Sequence, residues 1–148
     1  MSVEHTLTAI LPCNDLDASE AFYALLGFSK RGDYGDYRIL HDDSGASLHL
    51  NKAPEGWLIP GRNPCGVYLY TENVAELAAR MGNRLIHPPE DKPWGMFEFA
   101  VSDPDETLVR VGRPSMRPAS SRSAPDAGGK LRDVVNHNGI NLLGGNAQ

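Results

Sequence analysis

Histidines, cysteines and paired carboxylates are the side chains of this sequence whose types could support catalysis or metal binding. The five histidines are His5, His41, His49, His87 and His137. None stands in an HxH or HxxxH arrangement, the spacings that set two imidazoles on one face of a strand or helix. Taken singly, each reads as a surface or packing histidine. Cys13 and Cys65 lack CxxC spacing and are too few for a disulfide framework, which leaves two reduced, mostly buried thiols. Asp15 and Asp17 invite a carboxylate-pair mechanism. They also sit where a helix should start, and capping there accounts for both. Asp42 and Asp43 are turn residues. No GxxxxGK or GxGxxG phosphate loop and no GxSxG nucleophile motif occurs. Any chemistry must therefore come from residues that the fold brings together.

The elements that would do so can be read from the spacing of apolar residues and turn formers. Residues 6–11 are β-rich and end at Pro12, which predicts a first strand. Asn14 or Asp15 can then cap a helix carrying Leu16, Ala18, Ala21, Phe22, Leu25 and Leu26, with Gly27 as its stop. Phe28 opens a second strand. Tyr37, Ile39 and His41 alternate along a third. Residues 42–45 form a hairpin turn, and 46–50 return as a fourth strand. Residues 51–65 carry Pro54, Gly56, Pro60, Gly61 and Pro64, which predicts an irregular linker. Trp57 within it suits a lid or an interface anchor better than a core.

The order then repeats. A strand over 66–70 precedes a helix capped by Thr71 or Asn73, containing Val74, Leu77, Ala78 and Met81 and stopped by Gly82. A short strand over 84–86 should end at His87-Pro88-Pro89, and strands over 95–101 and 107–111 flank a turn at 103–106. The fold class is α+β, built from two βαβββ modules at 5–50 and 66–113 joined by the linker 51–65. A unit of roughly 50 residues is marginal alone, so each sheet must bury a face against something.

Charge bounds the partner. Residues 1–113 hold 10 Lys/Arg and 17 Asp/Glu, and residues 114–148 hold 4 and 2. An acidic folded part argues against nucleic acid; it either suits a cationic small molecule or, the simpler reading of charge alone, only keeps the protein soluble. No apolar run is long enough for a membrane span, and the N-terminus lacks a signal-peptide pattern, so a cytoplasmic location is expected. Residues 114–148, rich in Ser, Pro and Gly, read as a low-complexity tail, disordered or docked on its own domain or on a partner subunit.

Two landmarks inside the repeat carry a resemblance. Residues 16–28 read LDASEAFYALLGF, and residues 103–108 read DPDETL. Together they resemble the first helix and the "DPDG" hairpin of the glyoxalase/bleomycin-resistance/dioxygenase (vicinal oxygen chelate) superfamily. The match is closest to the bleomycin-resistance proteins, over residues 5–113. The resemblance implies that each sheet curls into an incomplete cup. The positions that hold metal ligands in the metal-dependent members fall on Thr8, His49, Gly66 and Arg110. Gly66 has no side chain, Arg110 has only donors and a permanent positive charge, and Thr8 is a weak ligand. No metal and no cofactor are implied.

The expected function is therefore a metal-free binding protein of bleomycin-resistance type. It would sequester an aromatic or cationic drug-like ligand in a cleft at a homodimer interface. The resemblance places ligand-binding residues at Tyr37 and Trp94. His49, Arg110, Glu98, Tyr68 and Trp57 are further candidates, and Phe97 and Phe99 are assigned to the core. Arg110 and Glu98 could form a structural ion pair, or Arg110 could anchor an anionic group of the ligand. The alternative is a metal-independent lyase or isomerase with His49 as base.

Overall fold

The computed structural model describes residues 2–115. Two βαβββ units follow one another. The first comprises β1 (Ala9–Cys13), α1 (Leu16–Ala24), β2 (Ser29–Asp33), β3 (Tyr37–His41) and β4 (Ser47–Lys52). The second comprises β5 (Gly66–Tyr70), α2 (Val74–Met81), β6 (Leu85–Asp91), β7 (Met96–Ser102) and β8 (Leu108–Pro114). Each unit makes a four-stranded mixed sheet, in the orders β1-β4-β3-β2 and β5-β8-β7-β6. The first and last strand of each unit pair in parallel, and the other pairs are antiparallel.

Strand alternation divides each sheet into two faces. Leu11, Cys13, Leu40, Leu48 and Leu50 of the first sheet join Phe99, Val101, Val109 and Val111 of the second, with residues of both helices, in one buried cluster. Phe99 is fully buried and Phe97 packs at the edge of the cluster under the Arg113 guanidinium, so both serve packing. Burial pushes the Cys13 thiol up to about 11, as suits a structural cysteine. Cys65 is half-buried.

The ends of α1 follow from residues predicted to form them, whereas Asn73 stands at the N-cap of α2 without a side-chain cap bond. The Asp15 carboxylate accepts from the Ala18 N–H at 3.1 Å. Beyond Ala24 the N–H groups of Leu25, Leu26 and Gly27 donate to the carbonyls of Phe22, Tyr23 and Ala24, and Gly27 takes φ 98°.

Three elements differ from the sequence expectation, and proline explains two. The first strand begins at Ala9 and contains Pro12, instead of ending there. The strand expected over 84–86 runs on through Pro88 and Pro89 to Asp91. β1 and β6 are both edge strands, where a missing N–H breaks no ladder bond, and β6 shifts register on both sides of His87. The linker is not wholly irregular, since Pro60–Arg62 forms one 3-10 turn. The expected tail lies, apart from Pro114 and Ser115, outside the described residues.

The 103–107 turn joins the two units. Asp103 Oδ2 accepts from the Tyr23 hydroxyl at 2.8 Å, and Oδ1 accepts from the N–H groups of Asp105 and Thr107 at 2.8 and 2.9 Å. Asp105 Oδ1 accepts from the Asn14 side chain at 2.9 Å, and Asn63 donates to the Asp105 carbonyl and to Thr107 Oγ1. Helix α1 thus meets the last hairpin on two buried carboxylates, and the linker meets it on the Asp105 carbonyl and the Thr107 hydroxyl. In the same turn Glu106 has φ 61°, a conformation that costs an L-residue about 1–2 kcal/mol. Glu106→Gly, which restores the residue of the "DPDG" pattern, is expected to stabilise the protein by about 0.5–1 kcal/mol in urea unfolding.

Candidate functional site

The candidate residues fall into two clusters, one on each sheet, on the face turned away from the helices. On the first sheet His49 lies between the core residues Leu48 and Leu50, so its ring projects from the opposite face. Ile39 pairs with His49 across the β3–β4 ladder, and Tyr37 lies one pair further along the same face. Tyr37 and His49 meet edge to face, with the Tyr37 hydroxyl 2.6 Å from His49 Nδ1. Both are partly exposed.

On the second sheet Tyr68, Arg110, Glu98 and Gly112 share the face opposite Val67, Val109, Val111 and Phe99. Glu98 is fully buried, and its Oε1 accepts from the Trp94 indole N–H at 2.6 Å. Tyr68 stacks on Tyr70 with ring centroids 4.5 Å apart. Burial, with Glu98 alongside, pushes the Tyr68 hydroxyl above its ordinary pKa. Burial also lowers that of Arg110 from its usual value, and Glu98 opposes the shift, so the guanidinium stays charged. No ion pair joins Arg110 to Glu98 among the described residues.

Trp57 stands apart in the linker, 80% exposed. A cavity of about 580 Å³ opens between the segment before β1, the start of β4 and β5. Of the candidates, only Tyr68 contributes to its wall. One chain therefore brings together Tyr37 with His49, and Trp94, Glu98, Tyr68 and Arg110 with one another. Its described contacts do not bring the two clusters to each other. Tyr70 was missed by sequence reasoning. Its signal was present, since Tyr68 and Tyr70 are two apart on a strand and so share a face.

The sequence-family model described as "Glyoxalase/Bleomycin resistance protein/Dioxygenase superfamily" matches residues 2–111. The chain belongs to this superfamily. A bleomycin resistance determinant encoded on the transposon Tn5 superposes with a TM-score of 0.66 at 28% identity, covering 76% of this chain and 100% of that one. A bleomycin-binding protein complexed with bleomycin gives the same values. TioX from Micromonospora sp. ML1, at 21% identity and a TM-score of 0.59, shares the fold over 75% of this chain and 99% of its own. A comparison with curated proteins finds no match. No helix among the described residues is long and apolar enough to cross a membrane.

Because the superfamily includes dioxygenases and glyoxalases, the metal positions implied by the resemblance need a fit test. Thr8 precedes β1, with its Oγ1 2.8 Å from Ser47 Oγ. His49 Nδ1 is engaged by Tyr37. A side chain at Gly66 would meet the Leu108 carbonyl at 3.3 Å. Arg110 repels a cation. These four positions do not fit a divalent metal. Among the described residues no three His, Cys, Asp or Glu side chains converge elsewhere.

Proposed function

We propose that this protein is a cytoplasmic, metal-free binder that sequesters an aromatic, drug-like molecule stoichiometrically. The site would be a cleft between two copies of the chain. Tyr37 and His49 of one copy would face Trp94, Glu98, Tyr68 and Arg110 of the other, with Trp57 at the rim. The observation that carries this reading is that each sheet sets an aromatic and polar cluster on the face opposite its core residues. Flat aromatic faces with a few oriented polar groups are what a drug-sized ligand needs. The likeness to a bleomycin-binding protein over that protein's whole length supports the same reading. The acidic balance of residues 1–113 favours a ligand that carries positive charge.

The test is thermal unfolding with bleomycin, alongside sedimentation to count subunits. At a concentration about 100 times Kd, binding adds roughly 2.7 kcal/mol and should raise Tm by about 8 °C. Trp94→Ala and Tyr37→Ala should each weaken binding by about 30-fold. No stabilisation by bleomycin, or a monomer in its presence, would sink this reading.

A second reading rests on the Tyr37–His49 contact. An imidazole hydrogen-bonded to a phenol is a workable acid–base pair for a metal-independent lyase or isomerase. Turnover lost in His49→Ala with ligand binding retained would favour it.

A further inference from the structure

We infer that Arg110 is the anchor for an oxyanion, a carboxylate or phosphate, carried beside an aromatic ring of the ligand. The inference deepens the binding reading above and rests on it. It changes the ligand class from a purely cationic molecule to one with a negative group next to its ring.

Three observations carry it. First, Arg110 Nε is buried with no hydrogen-bond partner among the described residues. A buried donor without an acceptor costs free energy, and a charged one costs more. Second, no described residue supplies an anion for it. Tyr68 and Ala100 are the residues paired with Arg110 on the two flanking strands. Glu98 lies one pair further on the same face, but its carboxylate receives the Trp94 indole and makes no ion pair with Arg110 among the described residues. The positive charge is thus influenced by Glu98 without being paired to it. Third, Arg110 stands beside a flat surface, since its strand neighbour Tyr68 stacks on the exposed Tyr70. A planar guanidinium matches an oxyanion in bidentate fashion, and the tyrosine pair gives an adjoining ring something to lie on.

The experiment follows the Arg110 Nε–H resonance of the full-length chain by NMR. Phenyl phosphate and benzoate are the probes, with benzylammonium chloride at matched ionic strength as control. Arg110→Met assigns the signal. The two anions should move the Arg110 resonance saturably, together with the ring signals of Tyr68 and Tyr70, and the cation should not. In Arg110→Met the ring shifts caused by phenyl phosphate should need at least tenfold more probe, while thermal stability is unchanged or higher. A resonance indifferent to both anions overturns the inference. So does one that moves on dilution of the protein but not with anions, which would mean that a second copy's carboxylate already holds Arg110. Stabilisation by bleomycin with no response of Arg110 to anions overturns the anchor and leaves the binding reading intact. Anion binding at Arg110 without stabilisation by bleomycin upholds the anchor and sinks the bleomycin-type reading.

Discussion

Replacing Asp103 by alanine should cost about 3–5 kcal/mol, enough to remove much of the stability of a domain of this size. The carboxylate is 4% exposed and accepts three hydrogen bonds: from the Tyr23 hydroxyl and from the backbone N–H groups of Asp105 and Thr107. Alanine leaves all three donors without that acceptor, and an unsatisfied buried donor costs about 1–3 kcal/mol. The loss also cuts a link between α1 and the last hairpin, and so between the two βαβββ units. If Asp103→Ala does not fold, Tyr23→Phe gives the same information more gently. It removes one bond to a buried carboxylate, worth about 1.5–3 kcal/mol, and should lower Tm by roughly 5–9 °C. A Tyr23→Phe loss below about 0.5 kcal/mol would reduce this link to an ordinary surface contact.

Proton linkage provides a second readout at Asp103. Burial raises its pKa above the ordinary carboxylate range, against the hydrogen bonds from Tyr23, Thr107 and Asp105, which lower it. The folded chain therefore holds this proton more tightly than the unfolded chain does. Its contribution is fully present below the unfolded pKa and is lost as pH rises through the folded pKa. Asp103→Asn should flatten that part of the stability–pH curve, measured by urea unfolding across the carboxylate range.

The second large effect is expected at Gly112. It sits on β8, flanked by β5 and β7, opposite Tyr70 and Glu98. A methyl group there would overlap the Tyr68 hydroxyl, and would lie 2.7 Å from Glu98 Cβ and 3.0 Å from the Phe97 carbonyl oxygen. The Tyr68 side chain could move, but the other two atoms belong to or adjoin the backbone. Gly112→Ala should therefore cost about 3 kcal/mol and weaken ligand binding, because it displaces Tyr68 and Glu98 together. Adding Tyr68→Phe removes only the hydroxyl overlap, so the double variant should recover part of the loss. Gly61→Ala is the control, with open space around it and an expected change within about 0.5 kcal/mol. Equal melting curves for Gly112→Ala and Gly61→Ala would show that the sheet face tolerates the methyl group and that its packing is not tight.

Much of the architecture was legible because it follows local rules. The two halves repeat strand, helix and three strands, and Asp15 and Gly27 bracket α1 for reasons contained in a few consecutive residues. The two family landmarks, the FY pair and the DPDE turn, were visible as patterns. That Tyr23 of one binds Asp103 of the other was not, because 80 residues separate them and no periodicity encodes the contact.

The sequence by itself determined which side chains share a face. Alternation along a strand assigns His49 to one side of Leu48 and Leu50, and Arg110 to one side of Val109 and Val111. Only the tertiary structure decided what each face meets. It made edges of β1 and β6, so Pro12, Pro88 and Pro89 could lie within strands. It gave Glu98 to Trp94 and left the buried Arg110 Nε without a hydrogen-bond partner among the described residues. Alternation is a property of one strand, whereas register, edge position and cross-strand partners depend on pairing with segments far along the chain.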